Sequence, residues 1–166
     1  MSELVKAAAS VAAVKHKDQL YGKVHPYVKH LKDVSDVLTR FGVDDPEMHA
    51  AAWLHDVVED TDMTVDQLKM IFGGRIADLV YRVTNEPGKN RKERHEKTYG
   101  KIKSSEDAVQ LKLADRIANV EQSFLEGNPD MLGMYRKEHV SFKEVLHTAG
   151  QHEAMWRHLD FLIGEK

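Results

Sequence analysis

Apolar residues recur at spacings of three and four along nearly the whole chain, the period of an amphipathic helix, and no alternating run is long enough to build a sheet. Glu3 to Lys17 is expected as a first helix, capped by Ser2. His25-Pro26 is read as opening a second, since proline suits the first helical position. Its inner face carries His30, Val34, Val37, Leu38 and Phe41, and Gly42 stops it. Asp45-Pro46 begins a third, running through Met48, Ala51, Ala52 and Leu54 to His55. Thr64-Val65-Asp66-Gln67 is a capping box for a fourth, in which Leu68, Ile71 and Phe72 face inward and Gly73-Gly74 marks the end. Ile76, Leu79, Val80 and Val83 make a fifth. Asn85 to Asn90 reads as a loop around Pro87-Gly88, followed by a strongly polar segment from Arg91 to Lys103. Ser104 with Asp107 is expected to cap a helix bearing Leu111, Leu113, Asp115, Ile117 and Asn119. Asn128-Pro129 starts another, and Ala154 to Ile163 closes the chain. The expected fold is all-α, a multi-helix bundle forming a single domain over residues 1–166.

Composition narrows the chemistry. The 166 residues include no cysteine, which excludes disulfides, thiolate metal sites and cysteine nucleophiles and fits a cytoplasmic location. A net charge of −3 gives no reason to expect nucleic acid or an anionic membrane as partner, and no stretch has the length of a membrane span. No feature sets an oligomeric state. Ten histidines are more than packing requires.

Those histidines direct attention to His55-Asp56, an adjacent imidazole and carboxylate at the end of a helix of small residues, with Glu59 and Asp60 following. If the helix persists, His55 pairs with Glu59 and Asp56 with Asp60 one turn apart. Crowding carboxylates against a buried face is costly unless a cation neutralises them. His30 and Asp115 are further suppliers from other helices. Two imidazoles and two carboxylates suit Mn²⁺, Fe²⁺, Co²⁺ or Zn²⁺, ions able to activate water and neutralise charge on a phosphoryl oxygen. Taken singly each residue has an ordinary reading: His30 as a core histidine, Asp115 as an ion-pair partner of Lys112 or Arg116.

The run His55-Asp56-Val57-Val58-Glu59-Asp60-Thr61 resembles the HD-x-x-E-D-T motif of RelA/SpoT-type alarmone hydrolases and their small single-domain relatives. His16-x-x-Gln19 and Pro26-Tyr27-x-x-His30 resemble the family's opening motif. Phe72-Gly73 and Leu79-Val80-x-x-Val83-Thr84 follow its spacing, and Lys112-Leu113-Ala114-Asp115-Arg116-x-x-Asn119 is similar to its closing motif. The resemblance covers about residues 5 to 125. It implies an HD-domain helical bundle holding one divalent metal ion, Mn²⁺, on His30, His55, Asp56 and Asp115. It further implies that Glu59 and Asp60 manage the attacking water and that Asn119 supports the substrate, a small phosphorylated nucleotide. The implied reaction removes pyrophosphate from the ribose 3′ position of guanosine tetra- and pentaphosphate. The family's usual Arg-Lys pair after His-x-x-Gln-x is here Tyr21-Gly22, leaving Tyr21 to stack on a base and Lys23 to supply charge one position later.

The basic cluster Lys89, Arg91, Lys92 and Arg94 is either a phosphate contact, with Lys92 and Arg94 favoured, or a solvated helix face. Tyr135, Arg136 and Lys137 are expected on a surface helix, and His16 near the site in a packing or hydrogen-bonding role. Two other functions stay open: a broader HD nucleotidase or pyrophosphatase, and a non-catalytic nucleotide-binding regulator.

Overall fold

In a computed structural model describing residues 1–164, helices account for nearly all regular structure. Helix α1 (Glu3–Lys15) is capped by the Ser2 hydroxyl, which accepts from Val5 N. It buries Val5, Ala8 and Ala12 against α3 (Pro46–Leu54), whose buried face includes Ala50, Ala51 and Ala52. Small residues on both sides let these helices pack closely. The end of α1 also meets the chain beyond α3, where Lys15 Nζ donates to Asp62 Oδ1 at 2.6 Å.

His25-Pro26 does not open a helix. Strands β1 (Leu20–Tyr21) and β2 (His25–Pro26) form a small antiparallel hairpin pairing Leu20 with Pro26 and Tyr21 with His25. The proline signal misleads here because a fixed φ also suits an extended edge. Helix α2 (Val28–Arg40) starts two residues later and turns Leu31, Val34, Val37 and Leu38 inward, with Phe41 half-buried beyond its end. Gly42, at φ +77°, ends it: Val43 N reaches back to the Leu38 carbonyl and Gly42 N to Thr39.

Helix α3 carries its Asp45 cap, and α4 (Val57–Asp60) follows after a break at His55 and Asp56. Helix α5 (Val65–Phe72) has the expected capping box, with both reciprocal hydrogen bonds. It buries Leu68 and Phe72, whereas Ile71 lies 58% exposed, against expectation, because it falls on the solvent side of the turn. Helix α6 (Gly74–Val83) buries Ile76, Leu79, Val80 and Val83. The polar segment is helix α7 (Arg91–Lys103), capped by Asn90 and buried through His95, Thr98, Tyr99 and Ile102. Ser105, not Ser104, caps α8 (Glu106–Leu125), since Ser105 has the extended backbone and accepts from Ala108 N. Helices α9 (Pro129–Leu146) and α10 (Glu153–Ile163) complete the described bundle.

Helix α8 is the axis of this arrangement. It packs against α2, α3, α6, α7, α9 and α10, and residues from Leu111 to Val120 are buried on almost every side. A helix buried all round has no solvent face to spare for charge. Asp115 and Arg116 sit in its most enclosed part. No described helix is long and apolar enough to cross a membrane.

Candidate metal centre and adjoining cleft

Four side chains from three parts of the bundle converge beside the centre of α8. His30 comes from the first turn of α2, His55 and Asp56 from the break between α3 and α4, and Asp115 from α8. His30 Nε2 lies 3.3 Å from His55 Nε2, 3.2 Å from Asp115 Oδ1 and 3.7 Å from Asp56 Oδ2. His55 Nε2 lies 3.0 Å from Asp56 Oδ2 and 3.7 Å from Asp115 Oδ1. Ligand atoms about 2.1 Å from one ion sit about 3.0 Å apart along an octahedral edge and about 3.4 Å apart along a tetrahedral one. The observed spacings fall around those values, and His30, His55 and Asp56 are close enough together to share an ion.

The tautomer of His55 suits this use. Its Nδ1 is 2.7 Å from the Ala52 carbonyl, which can only accept, so Nδ1 carries a proton and, in the neutral ring, Nε2 is the nitrogen with the lone pair. Electrostatics point the same way. Burial disfavours a charged His55, yet the Asp56 and Asp115 carboxylates outweigh it and raise its pKa well above the ordinary value. Burial pushes the Asp115 carboxyl up, but Lys112 and the two imidazoles hold it well below the carboxylate range. The cluster demands positive charge at its centre, and its donor set of imidazole nitrogens and carboxylate oxygens fits a borderline divalent cation.

A second layer fixes the carboxylates. Tyr27 Oη donates to Asp56 Oδ2 at 2.5 Å, Lys112 Nζ to Asp115 Oδ2 at 2.8 Å, and Asn119 Nδ2 to Asp115 Oδ1 at 2.7 Å. Tyr21 Oη in turn donates to Asn119 Oδ1 at 2.9 Å, while its ring lies over that of His30 with centroids 4.7 Å apart. Tyr21 and Asn119 are therefore tied to the cluster by their own contacts. Burial raises the pKa of both tyrosines, so their hydroxyls stay protonated as donors.

Glu59 and Asp60 border the small cavity over the cluster, about 200 Å³. Both Glu59 oxygens accept from Asn85, one from its backbone N–H and one from its side chain, each at 3.0 Å. Asp60 Oδ2 accepts from Gln19. Arg91, Lys112 and Arg116 bring cations to the same cavity. Glu138 orders two of them, bonding Arg91 Nε at 2.5 Å and Arg116 Nη1 at 2.8 Å. A larger cleft of about 620 Å³ adjoins this cavity, lined among others by Tyr21, Lys23, Gln122, Glu126 and Pro129, and sharing Asn119 and Tyr135 with it.

Lys92 and Arg94 are not at the cavity. The Lys92 side chain is 84% exposed on the outer face of α7 beside Glu96, and Arg94 packs against Gly88. Helical phase explains this: Arg91, one position before Lys92, is the basic residue turned to the site. Tyr135 is buried at the cavity wall, not on a surface, and Arg136 is engaged with the Ile163 carbonyl. Sequence reasoning assigned no role to Tyr27, Asn85, Tyr135 or Glu138. Only Tyr27 carried a signal, standing within Pro26-Tyr27-x-x-His30.

Comparison with known proteins adds an independent observation: the family model described as an HD domain matches residues 8–128. The chain belongs to the HD-domain family. It is 36% identical over 117 residues to a guanosine-3′,5′-bis(diphosphate) 3′-pyrophosphohydrolase of Homo sapiens, a match covering 68% of this chain and 65% of that protein. A protein of the same name from Aquifex aeolicus is 37% identical over 123 residues, covering 72% of this chain and 18% of the Aquifex protein. The matched stretch thus spans less than two thirds of these relatives. A solved structure described as a metazoan ortholog of SpoT that hydrolyses ppGpp superposes with a TM-score of 0.86 at 26% identity, covering 99% of this chain and 96% of that one.

Proposed function

We propose that this HD domain is a metal-dependent phosphohydrolase acting on a phosphorylated nucleotide, specifically a guanosine-3′,5′-bis(diphosphate) 3′-pyrophosphohydrolase. The observation that carries the reading is the junction of the histidine–carboxylate cluster with a nucleoside-sized cleft through Asn119 and Tyr135. The named activities of its relatives support it.

His30, His55, Asp56 and Asp115 would hold the ion, Mn²⁺ in this reading. When bound, the ion supplies Lewis acidity to the phosphoryl group and the attacking water. Glu59 and Asp60, at the cavity rim, accept the water's proton. Arg91 and Lys112 offset phosphate charge, and Arg116 backs Arg91 through Glu138. The cleft holds the nucleoside, with Lys23 at its edge for the remaining phosphates. The absence of cysteine suits a cytoplasmic setting.

The test is product analysis with Mn²⁺ and a panel of guanosine and adenosine tetraphosphates beside ordinary mono- and triphosphates. Pyrophosphate should be released from guanosine tetraphosphate, and Asp56→Ala should lose both bound metal and turnover. Hydrolysis of the ordinary nucleotides alone would replace this reading with a broader nucleotidase. Full activity in Asp56→Ala with metal retained would refute the site.

A further inference from the structure

The His16-x-x-Gln19 motif contributes no atom to the histidine–carboxylate cluster and lines neither cavity, yet its polar groups converge on the reacting side of the site. Gln19 is held at both ends of its backbone. Its N–H donates to the His16 carbonyl at 3.0 Å, and its carbonyl accepts from Tyr27 N at 3.1 Å. With the main chain fixed, the side-chain amide bridges two groups: His16 Nδ1 lies 2.6 Å from Gln19 Oε1, and Gln19 Nε2 donates to Asp60 Oδ2 at 2.8 Å.

The orientation of that amide follows from its neighbours. A carboxylate takes only donors, so the NH₂ faces Asp60 and the oxygen faces His16, whose Nδ1 then carries the proton. His16 cannot turn away. It is 2% exposed and its ring stacks on Tyr27, with centroids 4.8 Å apart and planes at 24°. Tyr27 itself donates to Asp56. One segment between α1 and α2 therefore grips both Asp56, which precedes the short α4, and Asp60, its last residue.

Asp60 needs such a grip. It is an exposed carboxylate at the end of a four-residue helix, close to other acids, and without Gln19 it would be free to rotate. Partial enclosure at the cavity rim raises its pKa; the Gln19 donor opposes that, and Asp56 and Glu59 add to the rise. With Oδ2 taken by Gln19, Oδ1 is the oxygen left to accept a proton. A base is effective only when its lone pair is held on the proton it removes.

We propose that His16 and Gln19 are a positioning pair that orients the Asp60 carboxylate toward the attacking water, with His16 acting through Gln19. This rests on the role given to Asp60 above.

Four variants test it: Gln19→Met, His16→Phe, His16→Asn and Asp60→Asn, each measured for kcat and KM on the nucleotide cleaved in the panel and for Mn²⁺ affinity by titration. Asparagine keeps a donor nitrogen where imidazole Nδ1 stands but loses the ring; phenylalanine keeps the ring on Tyr27 but loses the donor. Gln19→Met and His16→Phe should lower kcat by about 10- to 100-fold, with KM and Mn²⁺ affinity held within about threefold, and His16→Asn should stay within about threefold of wild type. A crystal structure of Gln19→Met should show Asp60 turned out of its present orientation. A purely packing role for His16 gives the opposite order, phenylalanine tolerated and asparagine impaired, and that order overturns the proposal. So does wild-type kcat in Gln19→Met, or an unmoved Asp60 in its crystal structure. Wild-type kcat in Asp60→Asn overturns the base assignment and the pairing with it. An inactive Asp60→Asn beside an unimpaired Gln19→Met overturns the pairing alone. Gln19 is only half-buried, so its methionine variant keeps the test open even if a His16 variant fails to fold.

Discussion

His30, the adjacent His55 and Asp56, and Asp115 come from three distant stretches of the chain and meet within 3.7 Å in the pairs described above. Their grouping was legible because each lies in a recognisable run of residues. The residues that order the surrounding groups were less so: Asn85 bonds Glu59, and Glu138 bonds Arg91 and Arg116, through contacts between elements that no local pattern encodes. Gly22 shows the same limit. In the sequence it marks only the loss of a cation, whereas in space it has φ +63° and a Cβ added there would stand 2.9 Å from Glu126 Oε1. The exposed Glu126 side chain can swing aside, so the backbone carries the main cost. Gly22→Ala should destabilise the protein by about 1–2 kcal/mol in urea unfolding, the penalty for a left-handed non-glycine residue.

At the scale of elements, capping signals placed helix starts well where a side chain made the bond itself. Thr64 accepts from Gln67 N, and Gln67 returns a bond to Thr64 N. Thr64→Ala should cost about 1 kcal/mol, read as a lower urea midpoint with an unchanged slope. Proline was a poorer guide, since Pro46 and Pro129 begin helices while Pro26 sits in a strand. Helix α7 was hidden for a different reason. Its buried face is His95, Thr98, Tyr99 and Ile102, polar enough that hydrophobic periodicity cannot register it.

That polar face has a consequence for the whole molecule. Burial, with help from Arg91 and Lys112, lowers the His95 pKa to about 4 from an ordinary 6.5. The unfolded chain therefore binds a proton that the folded one refuses between these values, and stability must fall as pH drops from about 6.5 toward 4. Replacing His95 with Gln should make the decline from pH 7 to pH 5 shallower than in wild type, as followed by urea unfolding. An identical slope would mean that His95 accepts its proton in the folded state.

Helix α8 joins the stability of the molecule to its chemistry, because the residue that faces the histidines, Asp115, is carried between Leu111, Leu113, Ala114 and Ile117, which the bundle encloses completely. Amides around Asp115 should exchange with deuterium only when the whole bundle opens, and thermal inactivation should coincide with global melting. An HD domain built on such an axis has no standing form in which the cluster has dissolved.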